Sequence, residues 1–444
     1  MKRLFITIFV SLSYMALSAA VSFSGNKYSI ITEKPEASTG LDDLYVLYSV
    51  SGVTMTYTAS SDNVEWYKYS NLGGAYAEKI TTVVRSGNNY SLSNFQGDMG
   101  YYIEDNNRRY YFWIVDYSSH YPTLTSLRPS TEQECDVTNI LFGGKCDKIT
   151  YFTINGQAKT LNRDVILSYN TLEYDESSMT YNLAPTQTTF EYLSEIIHTK
   201  SPLTNTQFTL SADKFLRQWN EELSLTSDSF TTNAISAETA AEQEENDHDN
   251  ERKGDSSALG GSAPCTITFK AAVTDAVAFN EWQFSDDSEF ENITLRMTEL
   301  EFTRTFIEEG STYIRFVASN ADGTCDYYSE TYEVNIGESV LECPNAFSPG
   351  STEGVNDIWK VSYKSIIDFE CHIFSRWGVE VCSFTDPSQG WDGKYRGKLV
   401  KSGVFFYVIR AKGADGKEYK LKGDINVIHH NPNANPTPEN NSDI

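Results

Sequence analysis

Phe374-Ser375-Arg376-Trp377-Gly378, set between the alternating runs Phe369 to Phe374 and Val379 to Phe384, decides the fold of the C-terminal end. Trp377-Gly378 places a residue free to take positive φ between two period-two runs, which is hairpin chemistry. Downstream, Phe405, Tyr407 and Ile409 alternate with Phe406, Val408 and Arg410, the pattern of a strand with at least one buried face. Trp391-Asp392-Gly393 reads as a tight turn with an aromatic anchor. These residues alone predict a small antiparallel sandwich.

Around that hairpin, motifs follow in a definite order. Pro344-Asn345-Ala346-Phe347-Ser348-Pro349 opens the segment and Gly354-Val355-Asn356-Asp357-Ile358-Trp359 follows. After the hairpin come Gly390-Trp391-Asp392-Gly393-Lys394, Ser402-Gly403-Val404-Phe405-Phe406-Tyr407-Val408 and Lys420-Leu421-Lys422-Gly423-Asp424-Ile425. The succession resembles the gliding-motility-associated C-terminal domain, the type B sorting domain of proteins exported by type IX secretion. The resemblance implies an address rather than a chemistry. It implies the export machinery as partner and, for type B domains, a companion outer-membrane barrel protein. Where the family has an Asn-Gly-Asp-Gly run, this chain has Gly350-Ser351-Thr352-Glu353-Gly354, which speaks against calcium in that loop. The domain is expected over 343–430. The Pro/Asn-rich stretch 431–444 is expected to be disordered.

The other end agrees. Lys2 and Arg3 precede an apolar run from Leu4 to Leu17, and Ser18-Ala19-Ala20 supplies small residues. This reads as a secretory signal peptide over 1–20, cleaved between Ala20 and Val21. The run is short for a membrane span, which must cross about 30 Å of hydrocarbon. Seven cysteines in an exported chain read as disulfide partners rather than metal ligands. A net charge of -26 disfavours nucleic acid and anionic lipid as partners, because phosphate recognition needs a basic surface.

From Asn233 to Pro264 the composition turns polar and acidic, ending in Ser256-Ser257-Ala258-Leu259-Gly260-Gly261-Ser262, and reads as a flexible tether. Beyond it, 265–339 opens on the alternating Cys265-Thr266-Ile267-Thr268-Phe269, with Trp282 seventeen residues on and Cys325 further along. A Cys, a Trp on a following strand and a distant Cys resemble an immunoglobulin-like sandwich. The run from Phe306 through Gly310 to Ser319-Asn320 also resembles PKD-type modules. The immunoglobulin-like resemblance implies a Cys265–Cys325 bridge. Upstream, 27–143 shows short alternating strands, and Glu65-Trp66-Tyr67 resembles the same Trp-bearing strand. Cys135 and Cys146 are expected to staple its exit loop. Residues 148–230 read as a β-rich module with a short helix from Ser211 to Trp219, capped by Ser211. In the C-terminal segment, centring the turn on Arg376-Trp377 places Cys371 opposite Cys382; Cys343 with Cys371 is the alternative pair.

No constellation announces catalysis. The six histidines make no His-x-x-x-His or His-Glu-x-x-His spacing, and no Gly-x-Ser-x-Gly elbow occurs. No metal or cofactor is expected. The aromatic hairpin Tyr101, Tyr102, Tyr110, Tyr111, Phe112, Trp113 and Tyr117 has two readings: a glycan- or protein-binding face, or filling for a sandwich core. The core reading is preferred. The sequence therefore predicts an all-β, multidomain, non-catalytic exported surface protein whose Ig-like or PKD-like modules bind a glycan or protein. The alternatives are an exported hydrolase with its site in 27–230, or a structural filament or motility component.

Overall fold

The structure, a computed structural model, describes residues 21–253, 258–351 and 354–429. The expected leader with its cleavage side at Ala20 and the tail 431–444 lie outside the described residues. The chain divides into two compact units: 1–171 with 183–232, and 172–182 with 233–444. Both are built almost wholly from strands, in accord with the all-β expectation.

The first unit begins with a sandwich. Ser22–Ser24, Thr54–Thr58, Asn89–Ser93 and Val84–Ser86 form one sheet. The second has the order Ile31–Glu33, Asp43–Leu47, Arg108–Asp116, Met99–Asp105, Val64–Tyr69, Glu78–Ile80. Met55, Tyr57 and Leu92 from the first sheet meet Tyr45, Trp66, Ile103 and Phe112 from the second in one core. The opposite face of the second sheet is covered too. There Leu44, Val46, Trp113 and Val115 pack against Ile149, Leu161, Phe215 and Trp219. The strand Arg108–Asp116 is thus buried on both faces, so Phe112, Trp113, Ile114 and Val115 form an unbroken apolar run instead of an alternating one.

The next module starts earlier than its composition suggests. Thr123–Pro129, Val137–Lys145 and Ile196–Lys200 make one sheet. Thr180–Phe190, Val165–Asp175, Thr209–Ser211 and Ser224–Thr226 make the other. Leu127, Ile140 and Phe142 close on Val165, Leu167 and Phe208 between them. The expected boundary at 143–148 therefore falls at the end of a strand that belongs to the second module. The single helix in this region is Lys214–Gln218, and Asp213, rather than Ser211, caps it by accepting from Leu216 N at 3.2 Å.

In the second unit, the described parts of the expected tether, 233–253 and 258–264, are structured, and 254–257 lie outside the described residues. Ala237–Gln243 is a strand antiparallel to Cys265–Val273, with Ala237 opposite Val273 and Gln243 opposite Ile267. Leu259–Gly261 runs parallel to Tyr332–Ile336. Small residues explain it: Ala237 is buried in the core while Glu238 and Glu242 point outward, and Glu242 pairs with Lys270 at 3.0 Å. Further on, Asn250 Nδ2 donates to Val361 O and Pro387 O, both at 2.8 Å, and Arg252 N donates to Tyr363 O at 2.7 Å. The acidic stretch is held by backbone pairing that its charge did not reveal.

The module expected to be Ig-like, 265–339, centres on Trp282, packed by Phe269, Phe302 and Phe316. Its larger sheet includes Val277–Ser285 beside Gly310–Asn320, and its smaller one pairs Cys265–Val273 with Glu301–Phe306. The C-terminal module has its own core. Its main sheet has the order Ala346–Phe347, Glu418–Val427, Gly403–Gly413, Ile366–Ser375, Glu380–Phe384.

Candidate functional site

The ordered motifs of the C-terminal module fall on the points that fix its fold. Trp359 and Trp391 are opposite each other in a short antiparallel pair, and both are buried. Trp359 Nε1 donates to Pro344 O at 2.7 Å and Trp391 Nε1 donates to Lys394 O at 2.9 Å. Asn345 O accepts from Asn426 N at 2.8 Å, placing Phe347 on the end of the sheet and against Trp391. Asp357 closes its loop by accepting from Gly350 N at 3.1 Å and Gly354 N at 2.7 Å, while Asn356 O accepts from Ser348 N at 2.9 Å. Asp392 accepts from Lys394 N at 3.0 Å, and Gly393 presses on Pro349, which a Cβ would meet at 2.6 Å. Gly423 lies beneath Tyr407, whose hydroxyl oxygen would be 2.6 Å from a Cβ there. Gly403 pairs with Val427, and Lys422 faces solvent.

One motif points outward. Ser375 N donates to Val379 O at 2.8 Å and Gly378 N to Ser375 O at 2.9 Å, with Gly378 at φ 76°, which closes the expected turn. Trp377 stands 77 % exposed with the Arg376 guanidinium 4.7 Å from its ring centroid. On the adjoining sheet face, Val404, Phe406 and Val408 are also exposed, Phe406 at 45 %. This row leaves an apolar stripe facing solvent on a central strand.

The cysteines depart from the expectations. Cys135 and Cys325 are disulfide-bonded, whereas Cys146, Cys265, Cys343, Cys371 and Cys382 are free thiols. Neither Cys265–Cys325 nor Cys135–Cys146 therefore forms. The strand that would carry the second Ig cysteine, Gly310–Asn320, ends before Cys325, and its inward positions are filled by Ile314, Phe316 and Ala318. Burial pushes the Cys146 and Cys265 thiols up to about 11. Cys371 does not face Cys382: Ser375 pairs with Val379 across the turn, which shifts the register by one, and a bulge between Ile373 and Phe374 shifts it by one more, giving Ile373–Cys382 and Cys371–Phe384.

The aromatic hairpin resolves as core: Tyr101, Phe112, Trp113 and Tyr117 are buried and Tyr102 stacks on Tyr67 at 4.6 Å. Beside it lies a surface cluster that sequence reading missed. Tyr28 and Tyr48 pack with centroids 4.4 Å apart, and Tyr48 meets Trp219 edge-on at 5.3 Å. Tyr121, 38 % exposed, stands at 70° to Tyr48 with 6.4 Å between centroids. The Tyr28 hydroxyl donates to Glu221 Oε1. Burial and then the Glu221 charge raise the pKa of Tyr48 and of Tyr121. Lys27 Nζ sits 4.8 Å over the Tyr28 ring. Glu221 also lines a cavity of about 400 Å³ with Ser211, Arg217, Asn220 and Glu222. Only folding gathers these residues, and no local signal in the sequence announces them. Among the described residues, no group of three or more His, Cys, Asp or Glu is placed to hold a metal ion.

No curated protein matches the chain. Among solved structures, a tetra-tandem repeat in the extending region of a large adhesion protein is 11% identical, covering 86% of this chain and 96% of its own, with a TM-score of 0.23. Dimeric latent PorU from Porphyromonas gingivalis is 12% identical, covering 72% of this chain and 35% of its own, with a TM-score of 0.16. Scores this low carry no argument about fold or function. The family comparisons do: residues 127–227 match a fibronectin type III domain. Residues 341–427, whose buried Trp359–Trp391 pair and motif-bearing loops are described above, match the CHU_C type IX secretion signal domain, and the chain is therefore type IX cargo with Ig-like modules.

Proposed function

We propose that this protein is a non-catalytic adhesin of the cell surface. Its C-terminal domain engages the type IX machinery, and a companion outer-membrane barrel protein then holds it there. The modules of residues 21–232 bind a glycan or a protein outside the cell. The observation that carries this reading is the pairing of a secretion signal domain with a fibronectin type III module on one chain. The surface cluster around Glu221, an open array of rings and hydrogen-bonding groups, gives the first unit a place to bind.

The reading is tested by comparing cells that lack the protein with wild-type cells for attachment to surfaces coated with polysaccharide or with protein. Reduced attachment on either surface, restored by the full chain, is the expected result. Unchanged attachment on both, or release of reducing sugar from glycans by the purified mature chain, would overturn it.

A further inference from the structure

We infer that the corner formed by Tyr48 and Tyr121 around Glu221 is a binding site for a neutral oligosaccharide. This rests on the reading of residues 21–232 as a binding module and names its ligand. A pyranose ring has an apolar face of C–H groups and a rim of hydroxyls that both donate and accept. Its recognition needs an exposed aromatic platform beside fixed polar atoms. Tyr121 is that platform, and Tyr48, at 70° to it, is a second wall. Trp219 holds Tyr48 from behind at 5.3 Å, and its Nε1 is tied to Ser29 O at 2.7 Å, so the wall is rigid before any ligand arrives.

Glu221 supplies the polar contact. An ionised carboxylate offers about four acceptor sites, and the Tyr28 and Tyr121 hydroxyls take two of them. The sites left over can accept from sugar hydroxyls. The adjoining cavity of about 400 Å³, with Ser211, Arg217 and Asn220 on its wall, has room and donors for one or two sugar units.

Two observations select the ligand class. A cationic ligand would seek a tyrosine face next to a carboxylate, but Lys27 Nζ, 4.8 Å from the Tyr28 centroid, already fills that role. An acidic glycan would meet Glu221 and Glu222 on a chain of net charge -26. A neutral glycan has neither difficulty.

The test is calorimetric titration of the purified mature chain with neutral tetrasaccharides of glucose, xylose, mannose and N-acetylglucosamine. At least one should bind. Tyr121→Ala should weaken it about tenfold, the loss of one stacked ring. Glu221→Gln should weaken it by about tenfold or more, through loss of a charged acceptor. Tyr48→Phe keeps the ring and the packing on Trp219, so its melting point should match the wild type and its affinity should fall less. Binding unchanged in both Tyr121→Ala and Glu221→Gln would overturn the site while leaving the adhesion reading intact. Absence of binding to every tetrasaccharide would overturn the proposal as well. Attachment of cells to protein-coated surfaces would then decide the adhesion reading separately.

Discussion

Replacing Asp213 by Asn should destabilise the first unit more than any surface change in it. Asp213 and Arg163 are 0% and 1% exposed at their side chains, with Arg163 Nε donating to Asp213 Oδ2 at 2.8 Å. The guanidinium also donates to Asp147 O at 2.9 Å and His120 O at 2.8 Å. Tyr117, from the first sandwich, donates its hydroxyl to Asp213 Oδ1 at 2.8 Å, so the carboxylate joins the first module to the second. The substitution keeps the shape and strands a buried cation. Breaking a buried pair from one side costs about 3–5 kcal/mol. For a unit of this size each kcal/mol moves the melting temperature by about 2–4 °C, so a fall of about 6–20 °C is expected. Tyr117→Phe removes one hydrogen bond and leaves the pair intact, so its cost should be nearer 1.5 kcal/mol, about the lower end for a bond to a charged group. The double change Arg163→Met with Asp213→Leu, which leaves no unpaired charge, should recover much of the loss. Calorimetry on the mature chain is the assay. A melt for Asp213→Asn within about 1 °C of wild type would refute the claim that this buried pair binds the two modules together.

Thiol labelling of the native chain should leave Cys146, Cys265 and Cys371 unmodified until unfolding, because all three are buried. Cys135 and Cys325 should label only after reduction, and labelling of either without reductant would contradict the disulfide assignment. His372 hydrogen-bonds Glu370 at 3.0 Å and Glu380 at 3.1 Å, and the Glu370 contact leads in raising its pKa above 6.5. Its contribution is present in full below the unfolded value and is lost as pH rises through the folded one. His372→Gln should therefore lower the melting temperature at pH 5.5 and change it little at pH 9, and equal effects at both would sink the reasoning.

The legible parts of the chain were those where a side chain does a local job. Trp66 and Trp282 each sit in a sandwich core, and the motif residues from Pro344 to Gly423 fall on turns, caps and close approaches. Such constraints leave local signatures. The misread parts depend on partners distant in sequence. Ala237–Gln243 has poor strand formers and an acidic face, yet the edge of Cys265–Val273 gives it a full ladder. Cys371 and Cys382 are misaligned by two residues, one from the Ser375–Val379 turn and one from the bulge, neither of which alternation reveals. The boundary near 143 was misplaced because the end of Val137–Lys145 is a glycine-rich stretch that reads as a loop. The Glu221 cluster draws on residues from Lys27 to Glu221 and has no spacing to detect.

Export is the central claim, and the C-terminal domain's own core makes a gain of function its most direct test. A fluorescent carrier with a secretory leader should be compared with and without residues 341–444 fused behind it, in a bacterium with type IX secretion. Digestion of intact cells by an added protease should remove the carrier bearing residues 341–444 and spare the one lacking them. A fused carrier that stays protected in the periplasm would contradict the account.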